Sequence, residues 1–170
     1  MNEQKRNFVR VSSDQEQTIG VGVWRLQPNQ ERPDDVAALG VAHLSHHPDQ
    51  QDQLSLLNVS AGGLCLRLKL SQEGKPPLEA NPGDRLICLV MLRRQTKDRS
   101  LPFWLDCTVM NRREEEDGLH CAVGLHFHAW AAPQPGKTKI EWFSVGDEEA
   151  VGPLGSWVMR EQLAHPGRKA

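Results

Sequence analysis

The chain has no tyrosine, and its aromatics are five Trp and four Phe among 170 residues. Proteins that hold single-stranded nucleic acid stack bases on aromatics interleaved with cations. Here Trp24, Trp104, Trp130, Trp142 and Trp157 are scattered, and 20 basic residues face 22 acidic ones. That balance argues against a non-specific nucleic-acid binder and confines any anion site to a local feature. No run approaches 18 apolar residues, and the first twenty residues are polar and charged with no secretion-type apolar region. The expected location is the cytoplasm, without membrane insertion. Cysteine is sparse too: Cys65, Cys88, Cys107 and Cys121 stand far apart in apolar segments and form no CxxC pair, so neither a zinc knuckle nor a thioredoxin-type motif is supported. They read as buried free thiols.

What is present is alternation of period two. TIGVGVWRL (18–26) reads as a first strand, weakened by its glycines. In LLNVSAGGLCLRLKL (56–70), Leu64, Leu66, Leu68 and Leu70 fall on one face while Cys65, Arg67 and Lys69 fall on the other. RLICLVMLRR (85–94) is apolar on both faces, as a central strand would be. FWLDCTVMNR (103–112) alternates again, and a polar EEEDG turn leads into LHCAVGLHFHAW (119–130). Cys121, Val123, Leu125 and Phe127 share one face of that strand; His120, Ala122, Gly124, His126 and His128 share the other. Strands joined by polar Gly/Pro turns point to an antiparallel sheet closing into a small barrel, which removes exposed edges.

Two segments break the rhythm. Residues 27–53 are rich in Gln, Asp and Pro and read as an insertion, with a short helix expected after Pro33 and Asp34. From Ala131 onward Pro and Gly interrupt the chain until LGSWVMREQLAH, where Leu154, Trp157 and Val158 form an i, i+3, i+4 stripe. A helix over 153–165 packed on the barrel is expected. The chain thus divides into a barrel over 1–130, carrying an N-terminal arm and the 27–53 insertion, and an extension over 131–170.

Two short stretches carry the functional signal. QKRNFVRVSSD places Lys5, Arg6 and Arg10 on an arm with only Phe8 and Val9 as apolar anchors; fixed cations at a terminus gain little unless an anion holds them. NVSAGG (58–63) sets Asn58, Ser60 and consecutive glycines before the leucine-faced strand, a turn that can take positive φ and approach a bound group. Together, Arg6-Asn7-Phe8-Val9-Arg10 as R-x-x-x-R and Asn58-Val59-Ser60-Ala61-Gly62-Gly63 as [D/N]-x-S-x-x-G resemble the two signatures of the PilZ domain. The V-G-L-H-F segment of the last strand is similar to a late family strand, and the LGSWVMREQLAH tail to the helix that follows the barrel.

The resemblance implies an all-β, six-stranded antiparallel barrel with a short C-terminal helix that binds cyclic di-GMP, with no catalysis, cofactor or metal. The ligand's two phosphodiesters and two guanines suit arginine, whose fork matches the O6/N7 acceptor pair. In an extended arm positions i and i+4 span roughly 13 Å on one side. Arg6 and Arg10 are therefore expected to grip a guanine edge and phosphate oxygens, with Lys5 adding diffuse charge. Asn58 and Ser60 are expected at the other guanine edges, and Gly63 to keep the turn free of bulk. Asn at position 58 offers one acceptor oxygen and a donating amide where Asp would offer two acceptors. Arm ordering on binding, relayed to a separate partner protein, is the expected output.

Two other readings compete. His43, His46 and His47 fall at i, i+3 and i+4, and His126 and His128 share a strand face, but no HExxH arrangement accompanies either group. A PilZ-like barrel could also serve as a protein-docking adaptor that ignores the nucleotide, although such a barrel has no chemical need for Arg6, Arg10, Asn58, Ser60 and Gly63 together.

Overall fold

A computed structural model of the chain describes residues 10–12, 18–46, 53–93, 100–146 and 151–164. The alternating segments form one antiparallel sheet: β1 (Arg10–Ser12), β2 (Thr18–Arg25), β3 (Leu44–His46), β4 (Leu54–Ser60), β5 (Gly63–Lys69), β6 (Arg85–Arg93), β7 (Ser100–Glu114), β8 (His120–Ala131) and β9 (Phe143–Ser144). The spatial order is β1-β4-β5-β8-β7-β6-β2-β3, with β9 on β8. Six strands are seven residues or longer; β1, β3 and β9 are short additions to the expected six. The sheet curls until β2 and β3 lie against β4, giving a half-barrel of mostly β structure with one C-terminal helix.

Period two decides what fills the interior. Leu64, Leu66 and Leu68 of β5 and Val123, Leu125 and Phe127 of β8 are buried in one core with Leu86, Cys88, Val90, Phe103 and Leu105. Of the four free thiols, Cys88, Cys107 and Cys121 are buried, whereas Cys65 is half-exposed because it sits on the outer side of β5. Pro102 lies within β7 opposite Met91 of β6. Pairing of β7 with β8 begins only at Trp104, so the missing N–H falls where β7 is still an edge on that side.

The helix α1 (Gly152–Ala164) closes one end of the half-barrel. Pro153 is tolerated in its first turn, where its N–H would have no intrahelical acceptor. Leu154, Trp157 and Val158 are buried in the main core. Trp157 Nε1 donates to the Arg93 carbonyl at 3.1 Å. Val151 N donates to the Ala61 carbonyl at 3.0 Å, and α1 packs against β1 and β4. The tail is thereby tied to the Ala61-Gly62 turn.

Residues 27–43 stay close to the sheet. They form a second layer over the outer face of β2, β6 and β7, where Trp24, Leu26, Ile87, Trp104, Ala131 and Ile140 make a separate apolar cluster. The expected helix is a four-residue 3-10 turn, Val36–Leu39, capped by Asp35, and Leu44–His46 joins the sheet edge against β2. Asp106, 1% exposed, pins the layer: its Oδ2 accepts from Arg32 Nε at 2.7 Å and Arg85 Nη2 at 2.8 Å. Arg32 also stands 5.3 Å over the Trp142 ring, and Trp142 Nε1 donates to the Pro33 carbonyl at 2.6 Å.

Replacing Asp106 with Ala leaves two guanidiniums facing each other without their shared acceptor. We expect a loss of roughly 2 kcal/mol in urea denaturation, less than for a fully buried pair because both arginines reach solvent. An unchanged midpoint would mean that the apolar cluster alone holds the layer.

Candidate functional site

The ladder brings together two segments separated in sequence by residues 13–57. Arg10 lies opposite Ser60, Val11 opposite Val59 and Ser12 opposite Asn58. Arg6 and Lys5 lie outside the described residues; for Arg10 the structure fixes the backbone position. The Asn-x-Ser part of the second signature is the end of strand β4 rather than a turn, and the turn itself is Ala61-Gly62.

A β-bulge orients the signature. Leu56 pairs Leu66, but Asn58 pairs Cys65, so Leu57 is the extra residue. One added residue reverses the facing of everything beyond it. Val59 consequently enters the core, while Asn58 joins Cys65 on the outer side, half-buried.

Ser60 and Gly63 act within the fold. Ser60, 4% exposed, donates from Oγ to the Gly63 carbonyl at 3.1 Å and accepts from Gly63 N at 3.1 Å and Gly62 N at 3.4 Å. A hydroxyl has one proton and two lone pairs, so these contacts use its full capacity in stapling the turn. Gly63 is extended, in the ladder opposite His126, not in a left-handed turn. A Cβ there would collide with the Leu125 carbonyl oxygen. Glycine is required by β5–β8 contact, a reason different from the positive φ expected of the turn.

Following the ladders across the outer face yields two adjacent rows. The first runs Asn58–Cys65–Gly124–Asn111. The second runs from Arg10 and Ser60 through Gly63, His126 and Thr108 to Arg85. His126 meets His128 edge-on, ring centroids 5.3 Å apart, and His128 Nε2 lies 2.6 Å from Thr108 Oγ1. Burial lowers the His128 pKa, helped by His126, Arg85 and Arg32 against an opposing effect of Asp106. The face is thus walled by β1 on one side and by the Arg32–Asp106–Arg85 latch on the other.

Asn111, Thr108 and Arg85 were not singled out by the sequence, and His126 only as half of a metal candidate. Their placement depends on two bulges in β7–β8, between Asp106 and Cys107 and between Val109 and Asn111, for which short polar side chains give no sequence signal. His43 Nδ1 accepts from Arg25 N at 2.8 Å, and His47 lies outside the described residues. At the β7–β8 turn, donor atoms of Glu115, Asp117 and His120 lie within 4.8 Å of one another. Arg67 occupies that cluster, with Nε 2.8 Å from Glu115 and Nη2 3.1 Å from Asp117; it is an ion-pair network. No helix among the described residues is long and apolar enough to cross a membrane.

The family model for the PilZ domain matches residues 4–144. Comparison with curated proteins returns no match. Among solved structures, the Bacillus subtilis inhibitor of motility, MotI/DgrA, is similar in fold, with a TM-score of 0.52 at 15% identity over 97% of this chain. The chain spans 55% of that protein's chain.

Two outcomes follow from the geometry. Gly63→Ala should cost about 1–3 kcal/mol of stability in ligand-free protein; a wild-type melt would remove the packing explanation. For His128 the folded pKa lies below the unfolded value of about 6.5, so the unfolded chain binds more protons between the two and stability falls as pH drops through that window. His128→Gln should flatten this part of the stability–pH profile, and an identical slope would rule the histidine out as its source.

Proposed function

Because the chain belongs to the PilZ domain family, a family of cyclic di-GMP receptors, we propose that it binds cyclic di-GMP between its N-terminal arm and the outer face of β4. PilZ domains are non-enzymatic binding domains, and the chain is one of them. The observation that carries the reading is the β1–β4 register, which sets Arg10 beside Ser60 and Ser12 beside Asn58. The last residue of the first signature thus lies beside the second signature.

In this reading Arg6 and Arg10 supply the charge-assisted contacts, to a guanine O6/N7 edge and to phosphate oxygens. Asn58, turned outward by its bulge, addresses a further guanine edge through its amide. Ser60 contributes by holding the Ala61-Gly62 turn, and Gly63 by letting β5 lie close to β8. Since α1 packs on β1 and β4 and Val151, just ahead of it, donates to the Ala61 carbonyl, ordering of the arm reaches the helix, which is the route by which a separate partner protein would sense the ligand. Location in the cytoplasm, where the nucleotide is made and read, belongs to the same proposal.

A second reading keeps one supporting observation. The Ser60 hydroxyl is fully engaged inside the turn, as expected if the motif is structural and the barrel docks a protein without nucleotide. Titration calorimetry with cyclic di-GMP separates the two. The receptor predicts saturable heat from the parent and a loss of about 10- to 150-fold in affinity for Arg6→Ala and for Arg10→Ala, the equivalent of a charged hydrogen bond. No heat from folded parent protein would leave the docking adaptor standing.

A further inference from the structure

Two of the three bulges in the β4–β5 and β7–β8 ladders do the same thing. Leu57 in β4 and Met110 in β7 are the extra residues, and each is followed by an asparagine that the reversal sends to the outer face. Met110 is left 58% exposed. Asn58 and Asn111 therefore mark the two ends of one row, three inter-strand steps or about 14 Å apart, with only Cys65 and Gly124 between them.

Asn111 has no evident duty in the fold. It is exposed, and its side chain makes no hydrogen bond among the described residues. Its amide lies flat over Gly124, where a Cβ would sit 2.8 Å from Oδ1 and 3.0 Å from Nδ2. A glycine inside a strand and an interrupted ladder both weaken a sheet, and here both serve to place one uncommitted amide. In the next row His126 is half-buried and has no hydrogen bond of its own among the described residues. Gly63 across the ladder puts no side chain on that flank of His126, and Gly124, two residues back along the strand, is covered among the described residues only by the Asn111 amide.

We propose that Asn111 and His126 are ligand-contacting residues forming the far half of the nucleotide face, opposite the two signatures. The inference rests on the cyclic di-GMP reading above. A cyclic dinucleotide has two guanines and two phosphodiesters, and the arm with Asn58 accounts for one side of it. Asn111 offers one donor group and one acceptor side by side, the complement of a guanine edge that presents an acceptor next to an N–H. His126 donates a ring N–H to a phosphodiester oxygen, and Cys65, beside the Asn111 amide that lies over Gly124, gives the purine a low surface without protruding bulk.

The test uses the whole chain with cyclic di-GMP. Calorimetry on Asn111→Ala and His126→Ala should show affinity reduced about tenfold in each, with stoichiometry unchanged. In parent protein labelled at histidine 13Cε1, the His126 resonance should shift on saturation while that of His43, bonded to the Arg25 backbone, stays in place. This second readout decides the matter even if a variant fails to fold. Saturable binding by the parent, with both variants within twofold of it and the His126 resonance unmoved, overturns the proposal while leaving the receptor reading intact. A parent that binds nothing ends the receptor reading itself, and this inference with it.

Discussion

The antiparallel ladder between β1 and β4 is the constraint on which the site depends. It joins a three-residue strand near the start of the chain to the end of a strand more than forty residues later, and without it Arg10 and the Asn-x-Ser segment would have no common location. A three-residue edge strand has little stability alone. Here it is backed by α1, which packs on both β1 and β4 and is itself anchored in the core by Leu154, Trp157 and Val158. The tail, the turn and β1 are thereby joined to one another.

The second constraint is parity. A strand has two faces, and an inserted residue exchanges them. The bulge at Leu57 allows Leu54, Leu56 and Val59 to enter the same core although their spacing is not even, and it is this exchange that turns Asn58 outward. The bulge at Met110 does the same for Asn111. Among the described residues, what distinguishes the outer face over β5 and β8 from the outer face over β2 and β6 is coverage: the latter lies under residues 27–43 and a Trp-lined cluster, held by the buried Asp106 carboxylate. The segment read as an insertion thus delimits the open face.

Much of this was legible in the sequence because burial imposes a strict period. Leu64, Leu66 and Leu68, then Val123, Leu125 and Phe127, announce their strands and their inward face. Leu154, Trp157 and Val158 announce the helix. The two PilZ signatures were readable as residue types in order, and the adjacency of Arg10 to the second of them followed only from the fold. What was not legible depends on long-range register. Gly63 looks like a turn glycine until Leu125 is placed against it, Ser60 looks like a free hydroxyl until the turn closes on it, and the buried pairing of Asp106 with Arg32 and Arg85 joins residues 74 and 21 positions apart. Bulges are the least visible of all, since nothing in Leu-Asn or Met-Asn marks an extra residue.

The central claim is that one small molecule is held jointly by the arm and the β4 end. Backbone amide hydrogen exchange, followed at residues 10–12 and 58–63 with and without cyclic di-GMP, addresses it directly. The account predicts that both segments gain protection together and at the same nucleotide concentration. Protection confined to one segment, or exchange equally fast in both after saturation, would contradict it.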